Sequence, residues 1–271
     1  MGREKLLLVD SAAAWLRLSL VLVMSVVVGV GMWSIVVILP AIQVDLGITR
    51  AQASFPYVLT MIGYGLGGVV FGRLSDRHGI YKTVVVGIVL MSVGYGAASF
   101  ANGVVFLSVS HGLLIGVGTS TTFGPLIAHV SHWFERRKGA AVGIIASGQY
   151  LSGAIWPTIL ESTVQDFGWR QTYWIVGITV LVLALPLALV LRRTPSKDGR
   201  VAVEAQEVPL PRLPVSPPWL LTLLMISAFS CCVAMAMPQV HLVAFCGDLG
   251  FGVATGAKML SVMLGFGVVS R

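Results

Sequence analysis

The chain has 271 residues, of which 56% are hydrophobic and only 11% are charged. Soluble domains carry roughly 25% charged residues, so this composition excludes an architecture of one or two soluble domains. The formal net charge of +7 does not indicate nucleic-acid binding, because the basic residues stand in short clusters between long apolar runs.

Runs without Asp, Glu, Lys or Arg predict a series of membrane-spanning helices. The longest run, residues 83–134, is too long for one buried helix and fits two crossings of ~20 residues joined by a turn at 99–103. A charge at mid-bilayer costs about 2.5–3.5 kcal/mol on insertion scales, so such runs indicate helices in lipid. The sequence predicts seven complete helices and part of an eighth, from the runs Leu18–Val44, Ala51–Gly72, Thr83–Phe134 (two helices), Gly139–Leu160, Gln171–Leu191, Trp219–Gly247 and a last run from Met259.

The basic residues predict the orientation of these helices. Most of them fall on one side, in the N-terminus and in the 2–3, 4–5 and 6–7 connections. The other side holds only Arg50, Arg170 and Lys258. By the positive-inside rule the N-terminus is cytoplasmic. We therefore expect a multi-pass protein of the cell inner (plasma) membrane, whose partner is the lipid bilayer and not nucleic acid.

One connection differs in composition from the rest of the chain. Residues 192–218 are rich in proline and carry charges of both signs, which favours a flexible linker. The sequence thus predicts a six-helix transmembrane bundle over 1–191, a cytoplasmic linker over 192–218, and helix 7 with part of helix 8 over 219–271. A weak internal repeat agrees, because the triplet Asp-Leu-Gly at 45–47 recurs at 248–250.

The connection between helices 2 and 3 carries a recognisable motif. Residues 72–82 read Gly-Arg-Leu-Ser-Asp-Arg-His-Gly-Ile-Tyr-Lys and resemble the G-x-x-x-D-R-x-G-[RK]-[RK]-[RK] loop of the major facilitator superfamily. Its residues Gly72, Asp76, Arg77 and Gly79 are expected to form a cytoplasmic gate, in which Asp76 faces a helix N-terminus and Arg77 pairs with acidic or carbonyl groups. The alternative is that Asp76 and Arg77 form a solvated pair that only fixes topology. Before the loop, the glycine steps 63–67 and 68–72 predict close approach of neighbouring helices.

The resemblance covers essentially the whole chain. Residues 134–143 and 147–148 look like the 4–5 loop and helix 5 of monocarboxylate porters and oxalate/formate antiporters, and 238–241 and 261–271 look like helices 7 and 8 of monocarboxylate-porter-like proteins. Gly168-Trp169-Arg170 before helix 6 is shared across the superfamily. The resemblance implies an all-α polytopic membrane protein with the major-facilitator fold, two six-helix bundles working by alternating access. Such a protein needs twelve helices, so we expect this chain to be an incomplete copy that ends within helix 8.

The resemblance also implies where an anion binds. In monocarboxylate porters an Arg at the place of Arg271 is tied to carboxylate binding, an Asp one turn earlier helps carry the proton, and a Lys in helix 1 contributes. Here the Asp position is Gly267 and the Lys position matches Trp33, which puts proton coupling in doubt. The alternative for Arg271 is a terminal residue that snorkels to the interface.

Polar and aromatic residues within apolar helices form a second tier of substrate contacts. For each of them, helix–helix hydrogen bonding or interfacial placement is the competing interpretation. Gln149 and Tyr150 are the best pair, because they lie in mid-helix 5 beside small residues. The full tier is Tyr64, His111, Gln149, Tyr150, Gln239 and His241.

No cofactor or metal is expected. Three cysteines (Cys231, Cys232, Cys246) have no metal or disulfide spacing, and His129 and His132 fit interfacial placement better than metal binding.

The predicted function is secondary active transport of small organic anions, chiefly monocarboxylates, with a coupling proton or a counter-anion as a further partner. An intramembrane enzyme would need a catalytic constellation at membrane depth, and the acidic residues are confined to helix ends and loops. A membrane scaffold or sensor without transport is the other alternative.

Overall fold

The computed structural model describes residues 9–192 and 217–269, and within them the chain is helical with no strand. Six helical stretches in this part are long and apolar enough to cross a membrane. The predicted all-α membrane fold is confirmed, while most of the predicted linker lies outside the described residues. We number the helices α1 Ala12–Leu46, α2 Arg50–His78, α3 Ile80–Ser99, α4 Val104–Ser131, α5 and α6 within Lys138–Arg192, α7 Pro217–Asp248 and α8 Val253–Val269.

Helices α5 and α6 are two crossings separated at Gly168. The 55 residues of Lys138–Arg192 would extend about 80 Å as one helix, against a hydrocarbon core of about 30 Å. Gly168 interrupts them with φ 78° and ψ 163°, a conformation that glycine adopts without steric cost. Ile159 before the break and Ile175 after it line the same cavity of about 340 Å³, so the chain folds back on itself. The predicted boundary before helix 6 is therefore confirmed, with α5 at 138–167 and α6 at 169–192.

The start of α8 differs from the prediction. The charge-free run predicted a helix from Met259, but α8 begins at Val253 and includes Lys258. Lys258 is exposed within the first two turns, where a long side chain can carry its charge to the interface. A charge near a helix end therefore did not mark the boundary.

Helix α1 lies at the centre of the bundle and is mostly buried. Small residues bring its neighbours close: a Cβ added at Gly29 would lie 2.5 Å from Oγ of Ser152 on α5. On another side, a Cβ at Gly31 would lie 2.0 Å from Oγ1 of Thr119 on α4. In addition, Trp156 Nε1 donates to the carbonyl of Val26 at 2.8 Å. Close packing of small residues and interhelical hydrogen bonds are the forces that associate helices in lipid.

One end of the bundle, which we call the basic end, gathers the N-terminal segment and the basic α4–α5 connection. The Asp10 carboxylate accepts the backbone N–H groups of Glu135 at 3.3 Å and Arg136 at 3.0 Å. The guanidinium of Arg17 lies over the Trp133 ring, 4.1 Å from its centroid. The N-terminus and the α4–α5 connection thus lie at the same end, as the alternation of helices predicts.

The opposite end is held by two ion pairs. Arg170 at the start of α6 contacts Asp45 near the end of α1, with Nη1–Oδ2 at 2.7 Å. Arg50 at the start of α2 contacts Asp248 at the end of α7.

Helix α8 runs antiparallel to α5 along much of its length. Ser261 Oγ lies 3.3 Å from Thr158 Oγ1, and further along α8 the Tyr150 ring packs against Gly267. Helix α7 packs on α8 where Gly256 meets the backbone of Val243. The first half of α7 is largely exposed, and its buried residues lie towards the opposite end. These contacts add the first part of a C-terminal bundle to the six-helix bundle.

Candidate substrate site

Helices α1, α5 and α8 meet around Gly153. A Cβ at this position would lie 2.4 Å from Cδ1 of Leu264 and 2.7 Å from Cε2 of Trp33, so only glycine allows the three helices to come together. Gln149 lies one helical turn before Gly153, on the same side of α5. We call Trp33, Gln149, Tyr150, Gly153, Leu264 and Gly267 the junction site.

The junction site contains buried polar atoms without hydrogen-bond partners among the described residues. Both amide atoms of Gln149 are buried and unpaired, and so is the indole Nε1 of Trp33, a residue only 7% exposed. Ser152 Oγ, between Gln149 and Gly153, is also unpaired. A buried polar group left without a partner costs about 1–3 kcal/mol, so each instance calls for an explanation. The indole offers one donor and the amide offers both donors and an acceptor. Together they can bind a polar ligand group without contributing any charge.

Tyr150 closes one side of the junction site. A Cβ at Gly267 would lie 2.5 Å from Cδ1 of the Tyr150 ring, so the ring occupies the space that a side chain at position 267 would need. The Tyr150 hydroxyl lies 3.9 Å from Sδ of Met235 on α7. Gly267, at the place of the family's Asp, is therefore packed against the ring of Tyr150.

The other predicted substrate contacts lie on different helices. Gln239 on α7 is half-buried one turn beyond Met235, while His241 is exposed. Tyr64 lies on α2 beside Ser120 and Phe123 of α4, where they line a cavity of about 210 Å³. Arg271 lies outside the described residues. Of the predicted pair, Gln149 lies one turn before Gly153, where Trp33 packs, and Tyr150 packs against Gly267.

His111 belongs to a hydrogen-bond network inside the six-helix bundle. Its Nε2 lies 3.0 Å from the Tyr173 hydroxyl and its Nδ1 lies 3.3 Å from Thr60 Oγ1. The hydroxyl of Thr60 donates a hydrogen bond to the carbonyl of Pro56 at 2.7 Å. Its Oγ1 therefore accepts the hydrogen bond from Nδ1–H of His111, and Nε2 of His111 accepts a hydrogen bond from the hydroxyl of Tyr173. Both ring nitrogens are thus satisfied by neutral partners on α2 and α6. This geometry favours the helix–helix alternative for His111 over substrate contact.

The network continues to α1 through a second tyrosine. The Tyr95 ring packs against Tyr173 with centroids 5.5 Å apart, and its hydroxyl lies 2.8 Å from Ser34 Oγ. All of these side chains are buried. His111 lies in a π-helical turn, Ser110–Gly116, which interrupts α4. In this way one polar network ties α1, α2, α3, α4 and α6 together.

The gate motif lies at the basic end, at the end of α2. Asp76, Arg77 and Gly79 are exposed, and neither Asp76 nor Arg77 forms an ion pair within residues 9–192 and 217–269. Gly79 has φ 87°, which ends α2 and favours glycine. Gly72 is half-buried, and a Cβ there would meet no atom within 4 Å. The gate role stays a prediction.

The two glycine steps of α2 have different surroundings. At Gly63 and Gly67 a Cβ would collide with α4, lying 1.9 Å from the carbonyl oxygen of Gly112 and 2.6 Å from Oγ of Ser120. At Gly68, as at Gly72, the space is open among the described residues. Close helix approach is therefore confirmed for the 63–67 step, while the 68–72 step touches no described neighbour.

His129 has a local partner. Its Nε2 accepts the Trp133 indole N–H at 3.3 Å, and the Trp133 ring lies beneath Arg17 at the basic end. This favours the interfacial interpretation of His129 over metal binding.

Comparison with known proteins decides the family. The model of the Major Facilitator Superfamily matches residues 21–271. The chain belongs to the major facilitator superfamily. As a member of this superfamily it is a multi-pass membrane protein of a transporter family, consistent with its membrane-length helices.

Among the curated relatives of this superfamily member are several transporters. Monocarboxylate transporter 11 of Homo sapiens is 32% identical over 202 residues, covering 71% of this chain and 41% of that protein. Monocarboxylate transporter 13 of Bos taurus is 32% identical over 203 residues, covering 72% and 45%. MFS-type transporter pytF of Aspergillus terreus is 32% identical over 136 residues, covering 49% and 46%. The chain spans less than half the length of these relatives.

A crystal structure of an auto-inhibited POT family peptide transporter also resembles this major facilitator chain, with a TM-score of 0.49 and 18% identity. It covers 92% of this chain and 50% of the transporter.

Proposed function

We propose that the chain works as part of a secondary active transporter of small organic anions, chiefly monocarboxylates, by alternating access. Family membership and the similarity to proteins named monocarboxylate transporters support this proposal. The observation that carries it is the set of unpaired buried atoms of Gln149 and Trp33 at the meeting point of α1, α5 and α8. Such atoms recover their hydrogen bonds when a polar substrate enters.

In this proposal the substrate is held by neutral and charged groups together. Gln149 and Trp33 bind its polar oxygens, and Arg271, predicted one turn beyond Gly267, pairs with the carboxylate. Position 267 offers no carboxylate, and the Tyr150 ring fills the space beside it. This arrangement favours exchange against a counter-anion over proton symport through that position.

The orientation in the plasma membrane is part of the proposal. The basic end is cytoplasmic by the positive-inside rule, and the Asn102 turn lies outside. Reporter fusions at Ser196 and Asn102 are expected to report opposite compartments. Reports from the same compartment would contradict both the topology and the transport path.

The substrate proposal is tested by ligand binding to the purified chain in lipid nanodiscs. Intrinsic tryptophan fluorescence is titrated with lactate, acetate, succinate, glucose and choline, and we expect saturable binding of the monocarboxylates. Trp33→Phe removes one N–H and Gln149→Leu removes the amide. Since one hydrogen bond contributes about 0.5–1.5 kcal/mol, each substitution weakens binding by about two- to twelvefold.

Gln165→Leu is the matched control, because Gln165 is an exposed amide on the same helix that bonds to Glu161. Its affinity should equal that of the unmodified chain. The proposal would be rejected if only glucose or choline bound. It would also be rejected if the unmodified chain and the Trp33, Gln149 and Gln165 variants all bound the monocarboxylates with equal affinity.

A further inference from the structure

Arg50 and Asp248 form a two-pronged ion pair at the opposite end. Nη1 of Arg50 lies 2.6 Å from Oδ2 of Asp248, and Nη2 lies 2.7 Å from Oδ1. Parallel N–H···O bonds of this kind fix geometry as well as adding attraction. Arg50 begins α2 in the six-helix bundle, whereas Asp248 ends α7 in the C-terminal part. The pair therefore connects two groups of helices that are far apart in sequence.

We infer that the Arg50–Asp248 pair is a latch that holds this end of the transport path closed and breaks each time the path opens there. The inference rests on the alternating access of the proposed function, in which the two groups of helices must separate at one end at a time. It assigns the closing of this end to two particular residues of this chain.

Each of the two charges is electrostatically unfavourable at its position in its own helix. A cation at a helix N-terminus and an anion at a helix C-terminus both oppose the helix dipole. Arg50 is the first residue of α2 and Asp248 is the last of α7, so each stands at the unfavourable end. Each becomes favourable only beside the other. Separation of the two helices therefore removes an interaction that offsets both placements.

Solvent exposure makes the pair reversible. The side chains of Arg50 and Asp248 are 41% and 53% exposed, so both charges remain partly hydrated while they are paired. Breaking an exposed pair returns each charge to water, whereas breaking a buried pair would leave charges stranded at high cost. A contact that must open in every transport cycle needs this property.

The position of the pair along α7 fits a closing contact. Residues 218–234 of α7 are almost all exposed, whereas its buried residues, Val240, Val243, Ala244 and Cys246, lie in the last turns before Asp248. The ion pair thus stands where α7 is most enclosed by its neighbours.

The chain contains a matched pair that serves as an internal control. Asp45 and Asp248 both belong to Asp-Leu-Gly triplets, and each triplet ends in a glycine with positive φ, 60° at Gly47 and 81° at Gly250. The Asp45–Arg170 pair has side chains that are 42% and 38% exposed at the same end of the molecule. Unlike the Arg50–Asp248 pair, both of its residues lie in the six-helix bundle, and it has a single N–H···O bond, because Nη2 of Arg170 donates to the carbonyl of Ala101. Its rupture should change stability without opening a path.

The test measures separation of the two helices directly. Spin labels are placed on Ala51→Cys and Leu249→Cys, both exposed next to the pair, in a chain whose native cysteines are replaced by Ala. Distance distributions are recorded by double electron–electron resonance in nanodiscs. In Asp248→Asn we expect the long-distance population to rise about 1.4- to fivefold, the range for loss of one exposed ion pair. Arg50→Gln should give the same change.

Two further variants decide between a latch and a general loosening. The exchanged pair Arg50→Asp with Asp248→Arg is expected to restore the distribution of the unmodified pair, and Asp45→Asn to leave it unchanged while lowering the melting temperature. The latch is rejected if Asp248→Asn leaves the distances unchanged, or if Asp45→Asn lengthens them equally. The measurement needs no substrate, so its failure is separate from a failure of the binding assay.

Discussion

Gly63 offers the sharpest test of how α2 and α4 are packed. A Cβ added at this position would lie 1.9 Å from the carbonyl oxygen of Gly112 and 2.8 Å from its carbonyl carbon. Both atoms are backbone, so neither can move aside as the tip of a flexible side chain would. We therefore expect Gly63→Ala to force the two helices apart.

The magnitude follows from two opposing effects. Carbon and oxygen atoms pack at about 3.3–3.6 Å, so the helices must separate by more than 1 Å at this point. Overpacking of this kind costs typically 1–3 kcal/mol. Replacing glycine by alanine in a helix returns up to about 1 kcal/mol. With about 1 kcal/mol returned, the net loss is about 0–2 kcal/mol, which for a chain of this size lowers the melting temperature by up to roughly 8 °C.

Gly65→Ala is the control, because Gly65 lies on the same helix and a Cβ there would meet no atom within 4 Å. It gains the same helix preference without the collision, so its melting temperature should equal or exceed that of the unmodified chain. Melting is followed by the fraction of monodisperse protein that remains after heating in detergent. Equal melting temperatures for Gly63→Ala and Gly65→Ala would refute the reasoning.

Three further substitutions probe single hydrogen bonds. Tyr173→Phe removes the hydroxyl that lies 3.0 Å from His111 Nε2, and leaving that nitrogen unpaired is expected to cost about 1–3 kcal/mol in the same melting assay. Trp156→Phe removes the N–H that donates to Val26 at 2.8 Å, with an expected loss of about 0.5–1.5 kcal/mol; an unchanged melting temperature in either variant would show that its bond is not formed. Asp10→Asn weakens the bonds to the α4–α5 connection, so hydrogen exchange at residues 135–136 should quicken, and equal rates would contradict the contact.

The membrane fold could be predicted from the sequence because lipid imposes one simple demand. Each crossing needs about 20 residues without charge, so the charge-free runs predict the crossings. Gly168 lies between two such runs and separates α5 from α6. Several helices extend past the charge-free runs: α2 continues to His78 beyond the predicted Gly72, and α8 begins at Val253 and includes Lys258, because long side chains let a charge lie inside a helix end. Run length alone does not distinguish such a residue from a true boundary.

The glycine pattern of α2 shows a second limit. The steps at 63–67 and 68–72 have the same spacing and follow each other directly on one helix. Only the first faces α4, because the two steps lie on different sides of the helix. A local pattern predicts that a close approach is possible but does not identify the face that has a neighbour.

The candidate site required the structure for a similar reason. His111 and Gln149 are both polar residues in apolar helices, and the sequence does not show which of them finds hydrogen-bond partners in the fold. His111 finds a partner for each nitrogen on α2 and α6, whereas both amide atoms of Gln149 remain unpaired. From the sequence, Trp33 is only the residue at the place of a family Lys. The structure shows that α5 and α8 pack around Trp33 and that its indole N–H has no partner among the described residues.

The two Asp-Leu-Gly triplets extend this argument from sites to mechanism. Each triplet ends a helix and presents a carboxylate to an Arg at the start of another helix. For Asp45 that helix is α6, inside the same bundle, and for Asp248 it is α2, across the boundary between the two groups of helices. A pair within a rigid group can only stabilise it, while a pair across a moving boundary sets how often the boundary opens. The same three residues therefore serve stability in one place and are expected to serve gating in the other, and the difference lies wholly in which helix each triplet faces.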